Sequence, residues 1–112
     1  MCCLFGLMDP RYNLNGRQRA QLLQSLSIAC EARGTDATGI AYRSGGRLRI
    51  HKKPLPAHQF RFFLPDDVHT VMGHTRMATQ GSAGKTYNNH PFPGTVNGHA
   101  FALAHNGVLY ND

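Results

Sequence analysis

The chain has 112 residues, with 12 Lys and Arg against 6 Asp and Glu, for a formal charge of +6 at pH 7 with His neutral. That length allows one modest core and no second domain, and a charged fraction of 16% is too low for a disordered polyampholyte. No apolar run approaches the roughly 18 residues of a membrane span, and the apolar start lacks the basic lead-in of a secretory signal, so a cytoplasmic location is expected.

Residues 2–8 read as a short, nearly all-apolar strand with both faces covered. Asp9-Pro10 ends it. Leu22, Leu23, Leu26, Ala29 and Cys30 recur at helical spacing, so a helix is expected over 16–33, with Gly34 as a left-handed stop. Strands follow at 36–43 and 47–52, joined by Ser44-Gly45-Gly46, whose glycines supply the positive φ of a tight hairpin turn. Residues 58–64 read as a short helix or a covering loop, and 68–74 as a fourth strand. The stretch 77–98 is rich in Gly, Asn, Thr and Pro and reads as one long loop. A last strand at 100–104 enters the turn His105-Asn106-Gly107, and Val108 to Tyr110 return from it. The order is β-α-β-β-(α)-β-loop-β-turn-β, an α+β arrangement.

Cys2, Cys3 and Cys30 cannot all pair within the chain and match no disulfide framework or metal knuckle, so free thiols in a reducing compartment are expected. Six basic residues (Arg43, Arg47, Arg49, Lys52, Lys53 and Arg61) fall between positions 43 and 61 with no acid among them. Arg47 and Arg49 alternate with Leu48 and Ile50, which favours the solvated face of a hairpin over a phosphate-binding patch. His74, His90, His99 and His105 share no metal-ligand spacing, so neither a metal nor another cofactor is expected.

Cys2 carries the chemistry. Removal of Met1 would leave a thiol and an α-amine on one Cα, with ordinary pKa values of about 8.5 and about 7.7–8.0. The amine can then take the thiol proton, and one residue supplies both nucleophile and base. A tetrahedral oxyanion needs donors, and the Asn106 carboxamide with the Gly107 N–H can supply them. Arg76, after the fourth strand and facing the loop, can grip a carboxylate through two parallel hydrogen bonds.

Five motifs stand in order: Cys2-Cys3-Leu4-Phe5-Gly6, Arg33-Gly34-Thr35-Asp36-Ala37-Thr38-Gly39, Gly73-His74-Thr75-Arg76-Met77-Ala78-Thr79, Asn89-His90-Pro91-Phe92 and His105-Asn106-Gly107. In this the chain resembles the N-terminal half of the glutaminase domain of class II glutamine amidotransferases, which are N-terminal-nucleophile hydrolases. The resemblance implies part of an αββα sandwich of antiparallel sheets, and glutamine as substrate. It implies that Cys2 attacks the side-chain amide to give a glutamyl thioester and ammonia, over an oxyanion hole of Asn106 and Gly107. Arg76 then binds the α-carboxylate and Thr79 lines the pocket. Arg33 and Asp36 support the catalytic end, and His90 shapes the loop. An ammonia acceptor or a synthase partner is implied but not identified, and self-association stays open.

Cys3 stands where relatives commonly have glycine, and alternation on a strand should turn it away from Cys2. Gln80 replaces a histidine of the glucosamine-type relatives. The family's domain is about twice as long, so residues 1–112 read as a single, truncated domain. None of Asp9, Glu31, Asp36, Asp66, Asp67 or Asp112 matches the aspartate that holds the substrate amine. Two alternatives remain: hydrolysis of another γ-glutamyl amide on the same fold, and a basic nucleic-acid-binding module.

Overall fold

The computed structural model describes residues 2–77 and 89–104. It consists of β1 (Cys3–Met8), α1 (Gly16–Glu31), β2 (Ala37–Ser44), β3 (Arg47–Lys53), a 3₁₀ turn (Ala57–Gln59), β4 (Thr70–Arg76), β5 (Phe92–Val96) and β6 (His99–Leu103). Four strands form one antiparallel sheet in the order β1-β4-β2-β3, and β5 and β6 form a separate hairpin. This α+β arrangement agrees with the expected class and is compatible with part of an N-terminal-nucleophile sandwich.

Residues at alternate register positions define the two faces of the sheet. Phe5, Leu7, Ile40, Tyr42 and Val71 lie on the α1 side and pack with Leu23, Phe60, Leu64 and Val68. Phe62 meets Phe5 and Phe60 edge-on or tilted, with ring centroids 6.2 and 5.0 Å away. The opposite face carries His74 and Arg76 and receives the segment 89–91. β1 differs from expectation here: its burial alternates, with Leu4 and Met8 exposed among the described residues, so only one of its faces is covered.

The helix starts as a capping box. Asn15 Oδ1 accepts from the Gln18 N–H at 2.8 Å, and Gln18 Oε1 accepts from the Asn15 N–H at 2.9 Å. Its inward face is Gly16, Arg19, Leu23 and Ser27, while Leu22 and Ala29 are exposed, contrary to expectation. Arg19 turns inward because an acid awaits it: Nη1 donates to Asp9 Oδ2 at 3.2 Å and to the Leu14 carbonyl, and Nη2 donates to the Asp66 carbonyl at 2.8 Å. Asp9 also accepts from the Asn13 and Leu14 N–H groups at 2.9 and 3.0 Å. Leu14's N–H, first among these, holds the Asp9 carboxyl below its ordinary pKa, with Asn13 and Arg19 adding to the effect and burial opposing it.

The helix ends at Glu31, two residues early, and Gly34 is not left-handed. Glycine is needed there for another reason. A Cβ on Gly34 would stand 2.7 Å from the Thr75 carbonyl carbon, so the turn leaving α1 packs directly on the β4 backbone. The β2–β3 turn follows expectation, with Gly45 and Gly46 at φ 57° and 75°. The 77–98 loop does not run unbroken: Asn97 and Gly98, at φ 51° and 78°, close a tight turn that makes Phe92–Val96 a strand. β4 lies two residues later than expected, so Arg76 is its last residue rather than one beyond it.

Cys3 and Cys30 are joined by a disulfide, which corrects the expectation of three free thiols. Their separation of 27 residues hid the fact that the last turn of α1 crosses the start of β1, with Cα atoms 5.6 Å apart. Cys2 is the free cysteine among the described residues.

Candidate active site

The register of β1 on β4 assembles the site. The two strands pair from Met8↔Thr70 to Cys3↔Thr75, and Cys2 and Arg76 each lie one residue beyond that last pair. Cys2 is half-buried, and its Sγ lies 3.8 Å from the Met77 carbonyl oxygen, a contact across 75 residues of chain. Alternation gives Cys2 to the face that carries His74 and Arg76. Cys3 faces α1 and is bonded to Cys30, so it does turn away from Cys2 as expected.

Arg76 is fixed through its backbone and its side chain. Its carbonyl accepts from the Asp36 N–H at 2.9 Å, and it pairs with Ala37 in β2. Its guanidinium is buried, and Nη1 donates to Asn89 Oδ1 at 2.6 Å. Asn89 is fully buried in turn. Lys52, from β3, donates to the Asn89 carbonyl at 2.7 Å and to the Pro91 carbonyl at 3.1 Å. Burial holds its ammonium below the ordinary lysine pKa.

The His90 ring stacks on buried His74 with centroids 4.1 Å apart and planes 10° apart. The His90–Pro91 peptide bond is cis. A Cβ on Gly39 would collide with the His90 carbonyl oxygen, so only glycine lets this segment lie flat on β2.

Of the residues singled out from the sequence, Cys2, Arg76 and His90 share this face. Arg33 and Asp36 lie at the exposed α1–β2 connection, and Asp36 reaches the site through its backbone N–H. Thr79, Asn106 and Gly107 lie outside the described residues, as do Gln80 and the return strand expected at 108–110. Asn89 and Lys52 were not assigned a role from sequence. Asn89 was visible only as part of a motif, and Lys52 only as one of a basic group. Lys52 turns inward because it alternates with exposed His51 and Lys53.

The other basic residues of that group behave as a solvated hairpin. Arg43, Arg47 and Arg49 are exposed, and the turn is tied down by Asp67, which accepts from Ser44 Oγ at 2.8 Å and the Gly45 N–H at 2.7 Å. This arrangement does not favour a nucleic-acid surface. A cleft of ≈ 720 Å³ lies between β3 and the β5–β6 hairpin, lined by Leu48, Ile50, Lys52, Pro93, Gly94, Thr95 and Ala100. Cys2, Arg76 and His90 are not among its lining residues. Among the described residues no three His, Cys, Asp or Glu side chains gather as metal ligands, and no helix is long and apolar enough to cross a membrane.

The chain is similar to curated glutamine–fructose-6-phosphate aminotransferases (isomerizing). Identity is 35% over 113 residues with that of Chlamydia trachomatis and 34% over 118 residues with that of Symbiobacterium thermophilum. Each alignment takes in 99% of this chain but only 17% of the relative, so the chain spans about a sixth of their length. The enzyme of Corynebacterium efficiens is 37% identical over 86 residues, 72% of this chain and 13% of the relative. No family model matches the chain. No solved structure matches it either.

Proposed function

We propose, on the premise that this chain belongs to the class II glutamine amidotransferases, that it carries the nucleophilic half of a glutaminase site. The observation that supports the reading is the β1–β4 register, which ends at Cys3↔Thr75 with Cys2 and Arg76 each one residue beyond that pair and the Cys2 Sγ 3.8 Å from the Met77 carbonyl oxygen. The substrate is L-glutamine. Its α-carboxylate lies on Arg76 and its side-chain amide reaches Cys2.

With Met1 removed, the α-amine of Cys2 takes the thiol proton, and Sγ attacks the carboxamide carbon. The negative charge that develops on the carboxamide oxygen is met by the Asn106 amide and the Gly107 N–H. The C–N bond breaks, the leaving nitrogen takes the proton from the amine, and ammonia departs from a γ-glutamyl thioester. Water, deprotonated by the same amine, then releases glutamate and restores the thiol. Thr79 lines the glutamine pocket. Arg33, Asp36 and His90 hold the surrounding backbone, Asp36 through its N–H to the Arg76 carbonyl.

The relatives' name pairs glutamine with fructose 6-phosphate, so a sugar phosphate is the acceptor we propose for the ammonia. In the native protein, Cys2→Ala should abolish glutamine hydrolysis, and a chloroketone analogue of glutamine should label Cys2 alone. Intact mass should show Met1 absent. Undiminished turnover by Cys2→Ala would remove the proposal.

A further inference from the structure

We infer that Asn89 is a positioning residue for Arg76, one that sets the plane of its guanidinium for a two-point grip on an α-carboxylate. The inference deepens the glutaminase reading and rests on it. A guanidinium carries five N–H donors in one rigid plane, and a carboxylate is gripped well only when two of them run parallel to its oxygens. The bond from Nη1 to Asn89 Oδ1, at 2.6 Å between two buried side chains, sets the rotation of that plane.

The acceptor's chemistry matters as much as its place. The amide oxygen of Asn89 is uncharged, so this bond orients Arg76 without itself neutralising the guanidinium. A carboxylate at position 89 would keep the geometry, neutralise the guanidinium and compete with the substrate.

Asn89 is itself held from two sides. Lys52 Nζ pins the Asn89 and Pro91 carbonyls to β3, at 2.7 and 3.1 Å. The His90 carbonyl lies against Gly39 of β2, where no side chain fits. Segment 89–91 is thus a shelf fastened across two strands, and it presents the Asn89 amide to the end of a third. None of this serves the thiol directly, which is why the effect belongs to binding.

The test uses steady-state hydrolysis by the native, full-length protein with two substrates, L-glutamine and its α-carboxamide analogue, which lacks the carboxylate. Asn89→Asp, equal in size, should raise KM for glutamine about tenfold or more with little change in kcat. KM for the α-carboxamide should not rise. Equal rises for both substrates, a fall in kcat alone, or no change for either would overturn the inference, because a merely structural role does not discriminate by the carboxylate. Should Asn89→Asp fail to fold, Asn89→Ser is read in the same way through loss of the preference for glutamine over the α-carboxamide. A wild-type protein with no such preference overturns the inference while Cys2→Ala still reports on the glutaminase reading. Turnover by Cys2→Ala removes both.

Discussion

At the scale of single residues, the buried charges are handled by specific partners. Asp9 is a carboxylate with two backbone donors and one guanidinium around it, and its pKa is lowered below the ordinary 3.8. A carboxyl whose folded pKa lies below its unfolded value adds stability that is complete above the unfolded value and fades as pH falls through the folded one. The advantage of the wild type over Asp9→Asn in urea unfolding should therefore be constant from pH 7 down to about 5. It should shrink steadily below about pH 4. A difference that stays flat down to pH 2.5 would contradict this account. Nothing local marks Arg19 as buried, since an Arg in an amphipathic helix is normally on the solvated side. Asp9 and Arg19 are ten residues apart, and only the fold shows that they meet. Asn89 is a harder case, because its partner is 13 residues away at the end of another strand.

At the scale of elements, α1 is held to the sheet by a narrow stripe in which Leu23 is the one large apolar side chain that is completely buried. It packs among Ile40, Phe60, Leu64, Val68 and Val71. Leu23→Ala should cost about 2–5 kcal/mol in chemical denaturation. Leu22→Ala, on the exposed side, should cost less than about 1 kcal/mol. Apolar periodicity alone put Leu22, Leu23, Leu26, Ala29 and Cys30 on one side. The true inward line, Gly16, Arg19, Leu23 and Ser27, keeps the same helical period but is turned toward small and polar residues. The helix sits close against its neighbours at Gly16, where an added Cβ would meet Asp66 Oδ1 at 2.6 Å, and Ser27 is fully buried. Strand edges moved for similar reasons: β4 is delayed because Val68 is used in a turn, its N–H bonded to the Pro65 carbonyl at 3.1 Å.

At the scale of the whole molecule, the Cys3–Cys30 disulfide ties the first strand to the end of the helix, next to the residue proposed as nucleophile. Closing a loop of 27 residues restricts the unfolded chain, and such a link adds about 2–4 kcal/mol. A reductant should lower the unfolding midpoint of the wild type and leave Cys3→Ser/Cys30→Ser unaffected. Of Cys2, Cys3 and Cys30, thiol labelling of the denatured, unreduced protein should modify Cys2 alone. Labelling of all three would exclude the bond. The paired cysteines also separate two roles that adjacent positions might seem to share. Alternation along β1 sends Cys3 to the helix side, where it is bonded to Cys30, and turns Cys2, the proposed nucleophile, to the opposite side.

What the amino-acid sequence determined by itself was local or ordered along the chain: the helix, the glycine turns at 45–46, the succession of short strands, and the motifs that mark Cys2 and Arg76. Each depends on residues that are neighbours in the chain, so conformational preference and motif order suffice to reveal it. Tertiary structure alone decided which of these residues meet. The disulfide, the buried Asp9–Arg19 pair, the turn of Lys52 away from its basic neighbours and the bond from Arg76 to Asn89 all join segments that no local rule brings together. They exist because the antiparallel pairing of β1, β4, β2 and β3 fixes register across the sheet, and register decides which side chains share a face.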